Sequence, residues 1–88
     1  MDTPLGKHMV MVIGEAELAR SIYGDFTSTH EALGVLLEEF KELEAAIHDN
    51  ALFGVEREAT QLSAVALRLA EIASRPIPNA FSKRSGIE

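Results

Sequence analysis

The sequence predicts an all-α fold, an antiparallel bundle of three main helices that oligomerisation completes. Apolar residues recur at spacings of three and four between the chain's breaks, and no alternating Val/Ile/Thr-rich run suggests a strand. The third observation is size: a single domain of 88 residues without cysteine has neither disulfides nor a thiolate metal site to add to its core. A domain this short buries only about 60 to 65% of the surface its unfolded chain exposes. A partner subunit is the remaining source of buried surface.

The first helix is expected over about residues 9–23, after the breaks at Pro4 and Gly6, with Met9, Val12, Ala16, Ala19 and Tyr23 on one face. Met11, Leu18 and Ile22 widen that face, and His8 falls in the unstructured start. Ser28 to Glu31 is a capping-box pattern that opens a second helix over about 29–48. Two stripes lie along it, one apolar (Leu33, Leu36, Phe40, Leu43, Ile47) and one mixed (Ala32, Val35, Glu39, Glu42, Ala46). A helix covered on two sides predicts a partner that supplies the missing wall. The third helix, about 53–74, carries Val55, Ala59, Leu62, Ala66, Leu69 and Ala73 on one face, broadened by Val65 and Ile72. Leu67 points away from that face and marks a candidate subunit interface. Pro76 and Pro78 then leave an extended tail over 75–88, anchored by Ile77 and Phe81.

Eight Lys plus Arg against 14 Asp plus Glu give a net charge of −6, which opposes binding to a nucleic-acid backbone. None of the three helices is basic enough to be a DNA-recognition helix. The apolar run Met9 to Ile13 is far shorter than a signal-peptide core or a membrane span. The expectation is a soluble cytoplasmic protein with no nucleic-acid polymer and no membrane among its partners.

The acids are placed unusually. Glu39 and Glu42 lie one helical turn apart in the middle of a stripe whose ends are Val35 and Ala46, and Glu58 falls between Val55 and Leu62 inside the third helix's apolar arc. An ionised carboxylate in such a position is costly unless a cation meets it. Three acids on two helices, aimed into one interior, suit a divalent ion with a preference for hard oxygen ligands. The plain alternative for Glu38-Glu39-Phe40-Lys41-Glu42 is a solvated face with charge pairs three and four residues apart, and Glu58 argues against it.

The order Glu38-Glu39-x-x-Glu42, a short connection, then Glu58-x-x-Gln61 at the head of a long apolar helix resembles the MazG-like all-α nucleoside triphosphate pyrophosphohydrolase superfamily, over His30 through Ala73. That superfamily's pattern is Glu-Glu-x-x-Glu followed by Glu-x-x-Asp. The resemblance implies Mg²⁺, with Mn²⁺ as a substitute, held by Glu39, Glu42, Glu58 and Gln61, with Glu38 close by. It implies cleavage of a nucleoside triphosphate between the α- and β-phosphates to give a monophosphate and pyrophosphate, with Glu38 or Glu42 as the base. It also implies a homodimer or homotetramer. Gln61 departs from the pattern, since its amide oxygen can coordinate a metal but brings no charge. The chain is therefore either an active variant with a less acidic site or an inactive helical oligomer that binds a protein or senses nucleotides.

Other residues carry weaker readings. Arg68 could meet a substrate phosphate or pair with Glu71. Lys83 and Arg84 in the basic tail could fold over polyphosphate or stay solvated. His30 and His48 lie about 27 Å apart along the second helix, too far to share a metal; His48 suits the dipole at a helix C-terminus and His30 a neighbour of the cap.

Overall fold

The computed structural model describes residues 3–75, which form three helices: α1 (Pro4–Tyr23), α2 (Thr29–His48) and α3 (Leu52–Ala73). Among the described residues there is no strand. No helix is long and apolar enough to cross a membrane.

Helix α1 starts five residues earlier than its apolar periodicity predicts. Thr3 caps it, its Oγ1 accepting from the Gly6 amide at 2.9 Å, and Pro4 occupies the first turn. Proline there interrupts nothing, because the first helical amides have no partner within the helix in any case. His8 accordingly lies inside the helix. Its Nδ1 is 2.9 Å from the Pro4 carbonyl, and its Nε2 is 3.0 Å from a Glu56 carboxylate oxygen on α3.

Helix α2 has the predicted bounds. The Ser28 hydroxyl accepts from the Glu31 amide at 3.0 Å, while the Glu31 carboxylate reaches one residue further back than a capping box requires and accepts from the Thr27 amide and hydroxyl. Those hydrogen bonds, the amide first, hold the Glu31 carboxyl below its usual range. The turn into α3 passes through Asn50 at φ 54°, a left-handed conformation that asparagine tolerates better than most residues.

Helix α3 is the middle of the fold. It packs on both α1 and α2, which do not pack on each other. Contacts from α1 and the segment after it climb α3 in step: His8 meets Glu56, Glu15 meets Gln61, Gly24 meets Arg68 and Asp25 meets Arg75. So α1 and α3 run parallel, and α2 returns antiparallel on the other flank. The crossing segment is pinned at three points. Gly24, at φ 77°, offers its carbonyl to Arg68 Nη2 at 3.2 Å. Phe26 is buried beneath the Arg68 guanidinium, 4.2 Å from the ring centroid. Asp25 takes Arg75 at 3.0 Å, and Arg75 also grips Glu71 one turn back.

A helix flanked on two sides does not bury a single stripe, so the predicted face of α3 is redistributed. Thr60, Ala64, Val65 and Ile72 are buried, Val55, Ala59, Leu62 and Leu69 half-buried, and Ala66 and Ala73 exposed. On α2 the seam between the two stripes is what meets α3: Ala32 is fully buried, and Val35 and Leu36 pack with it against Phe26, Val65 and Ile72. The outer part of the apolar stripe stays open: Leu33, Phe40 and Ile47, and Leu37 next to them, are each 50–53% exposed. Among the described residues no large side chain is fully buried. Residues 76–88, and with them Ile77 and Phe81, lie outside the described residues.

Candidate metal centre

Because α2 and α3 are antiparallel neighbours, the turn that carries Glu39 and Glu42 lies beside the first turns of α3, where Glu58 sits. The structure brings these three carboxylates together: one oxygen from each lies within 4.8 Å of the others. Glu39 and Glu58 are half-buried or better, and Glu42 is exposed. The Glu58 side chain is only 13% exposed, as its place in the apolar arc requires.

The cluster is short of positive charge. Arg57 donates to Glu58 through Nε and Nη2, both at 3.2 Å, from a side chain that is 61% exposed and largely in solvent. Glu39 fares worse, since its Oε1 is buried without a hydrogen-bond partner among the described residues. Burial, followed by the charges of Glu42, Glu58 and Glu38, raises the Glu39 carboxyl above its ordinary range. A buried carboxylate oxygen with no donor is the atom that a cation would complete.

The donor set fits Mg²⁺. Ligands on opposite sides of an octahedral Mg²⁺ are about 4 Å apart. Oxygens within 4.8 Å of one another therefore need only small side-chain rotations to share one ion. Glu39, Glu42 and Glu58 would supply three of its ligands and leave the remainder to water or phosphate.

Beside the centre, a cleft of about 500 Å³ opens between α1 and α2 over α3, within the size range of small-molecule sites. Glu38, Glu39 and Gln61 line the cleft, with Ala64 and Val65 in its floor and Arg68 at the far end. Glu38 is exposed and belongs to this cleft. The amide nitrogen of Gln61 donates to Glu15 Oε1 at 3.0 Å, so its side chain ties α3 to α1. Arg68 is engaged by the Gly24 carbonyl and the Phe26 ring, while Glu71, the partner expected for it, takes Arg75 instead. Lys83 and Arg84 lie outside the described residues.

Sequence reasoning missed Glu15. The signal was present: Met11, Glu15, Leu18 and Ile22 form one row on α1 at spacings of four, three and four, so Glu15 interrupts an otherwise apolar row. It also missed Phe26, whose place in a short connection gives no periodicity to read.

No family model, no curated protein and no solved structure matches the chain.

Proposed function

We propose that the chain is a Mg²⁺-dependent nucleoside triphosphate pyrophosphohydrolase of the MazG-like kind, cleaving between the α- and β-phosphates in a cytoplasmic homo-oligomer. The observation that carries this reading is the meeting of Glu39, Glu42 and Glu58 around the unpartnered Glu39 oxygen. Bound there, Mg²⁺ would neutralise phosphate charge and polarise the scissile phosphoryl group. The chain's own residues do the rest. Glu39 and Glu58, walled in by both helices, would hold the ion that the phosphates need in order to approach these acids. Glu42, exposed beside them, or Glu38, at the cleft, accepts a proton from the attacking water. The cleft receives the nucleoside.

The oligomer draws support from the half-exposed row Leu33, Leu37, Phe40 and Ile47, an apolar surface that a second copy would cover. Leu67, 41% exposed on the other side of the fold, extends the same argument to α3.

The direct test is incubation with a panel of nucleoside triphosphates and Mg²⁺, followed by pyrophosphate detection. The expected result is turnover that Glu39→Ala abolishes; no turnover of any member overturns the reading. A second reading, a non-catalytic oligomer that binds a protein or senses nucleotides, draws on Gln61, which is uncharged and committed to Glu15. It requires that Mg²⁺ neither binds nor stabilises the protein.

A further inference from the structure

Because α1 and α2 flank α3 without packing on each other, the three helices form one layer with two broad faces. The cleft and the acidic centre open on one of them. Residues two apart on a helix stand about 160° round from each other, which locates the other face. On α1, Ile13 is two residues from Glu15; on α3, Ser63 is two from both Gln61 and Val65; on α2, Leu33 is two from both Glu31 and Val35. Glu15, Gln61, Val65, Glu31 and Val35 all line the cleft, so Ile13, Ser63 and Leu33 mark the opposite side of the layer.

That side is open and apolar. Leu5, Met9 and Ile13 of α1, with Ser63, Ala66 and Leu67 of α3, are exposed and line a groove of about 690 Å³. His8, already paired with Pro4 and Glu56, is the only titratable side chain among the residues lining it. The exposed row of α2 that contains Leu33 and Phe40 stands on the far bank. Between the banks α3 presents Ala59, Ser63, Ala66, Ala70 and Ala73, at spacings of four, three, four and three, and none of the five charged residues of α3 falls in this row. A helix ordinarily turns its charged side chains to water on the side away from its neighbours, and α3 turns small uncharged ones.

Size and charge identify the occupant. Helices of 20 residues are about 30 Å long, and three of them side by side at spacings of about 9 Å span about 28 Å. The face is therefore roughly 800 Å², the area that each partner of a stable complex covers. The chain carries a net charge of −6, and stacking cleft on cleft would set Glu15, Glu31, Glu38 and Glu39 of two copies against each other. The groove side has none of these carboxylates, so identical copies meet there without that repulsion, while a strongly charged partner finds no counter-charge in the α3 row. The small side chains of that row let two α3 helices approach closely.

We propose that a second copy of this chain covers this face, back to back about a two-fold axis, with the α3 helices crossing at Ser63 to Ala70 and both acidic centres opening outward. The inference rests on the homo-oligomer of the proposed function and adds its interface.

Sedimentation equilibrium of the full chain, without metal or nucleotide and at micromolar concentration, tests it. The natural chain should show at least twice its 9.6 kDa mass. Ala66→Arg and Ala70→Arg, made singly so that one variant suffices if the other fails to fold by circular dichroism, each bury an unpaired charge at the crossing. Each should weaken association on the order of a hundredfold or more. Met11→Arg, which adds the same charge at an exposed apolar residue two positions from Ile13 and thus off the groove, should associate as the natural chain does. Undiminished association of the folded Ala66→Arg or Ala70→Arg variant, or equal loss in Met11→Arg, overturns this interface and leaves the oligomer standing. A natural chain that sediments as a monomer overturns both, and leaves the metal chemistry to its own assay.

Discussion

Replacing Glu39 by Gln separates the two costs that meet at the acidic centre. At 4.8 Å, two unit charges repel by about 3.5 kcal/mol at an effective dielectric of 20 and by about 1 kcal/mol in water. Glu42 is exposed and Arg57 partly screens Glu58, so the relief on neutralising Glu39 lies towards the lower value, about 1 to 2 kcal/mol. For a domain of this size 1 kcal/mol moves the midpoint by roughly 4–8 °C. In chelator-treated buffer at neutral pH, Glu39→Gln should therefore melt higher than the natural chain. Mg²⁺ should reverse the order: at 100 times its Kd it stabilises by about 2.7 kcal/mol through mass action, and the variant, lacking a charged ligand, should gain far less. The pH dependence has the same origin. Glu39 ionises in the fold at a higher pH than its ordinary 4.5, so the folded state binds the proton first. The metal-free natural chain should gain stability as pH falls through the folded value, with the gain complete by about the unfolded value, and the variant should lack this component. Differential scanning calorimetry with and without Mg²⁺ reads all of these. A variant that melts lower without metal, with an undiminished Mg²⁺ shift, would refute the reasoning.

Three further outcomes follow from the architecture. Both ring nitrogens of His8 face acceptors, the Pro4 carbonyl and the Glu56 carboxylate, so the pair is complete only with an imidazolium, and those two bonds raise the His8 pKa. The tie between α1 and α3 should be fully present below about pH 6.5 and lost as pH rises through the higher folded value; a His8 titration by NMR that Glu56→Gln leaves unshifted would contradict this. Ser28→Ala removes the cap of α2 and should cost about 1 kcal/mol, read as a drop of roughly 4–8 °C in Tm. Phe26→Ala empties the space under Arg68 and exposes the joint of all three helices; a loss of about 3 to 5 kcal/mol is expected, enough to unfold much of the chain in urea-free buffer by circular dichroism.

Much of the fold was legible in particular residues. Ser28 and Glu31 announced the start of α2 because helix capping is local chemistry: the Ser28 hydroxyl takes the Glu31 amide, and the Glu31 carboxylate reaches back only as far as Thr27. Glu58 betrayed its burial because an acid between Val55 and Leu62 has little choice of surroundings. Pro4 misled for the converse reason: the same residue ends one helix and opens another, and only Thr3 and the Gly6 amide decide which.

The sequence by itself determined three helices, the inward placement of Glu39 and Glu58, and a shortage of core, since each follows from spacing along one chain segment; Glu42, expected inward with them, is exposed. Tertiary structure alone decided that α3 stands between the others, that Phe26 locks the joint, and that Gln61 turns to Glu15 on α1. Periodicity tells which residues share a face of a helix, and carries no information about which neighbour that face will meet. That choice belongs to contacts between residues as far apart as Asp25 and Arg75, whose pairing exists only once the chain has crossed α3.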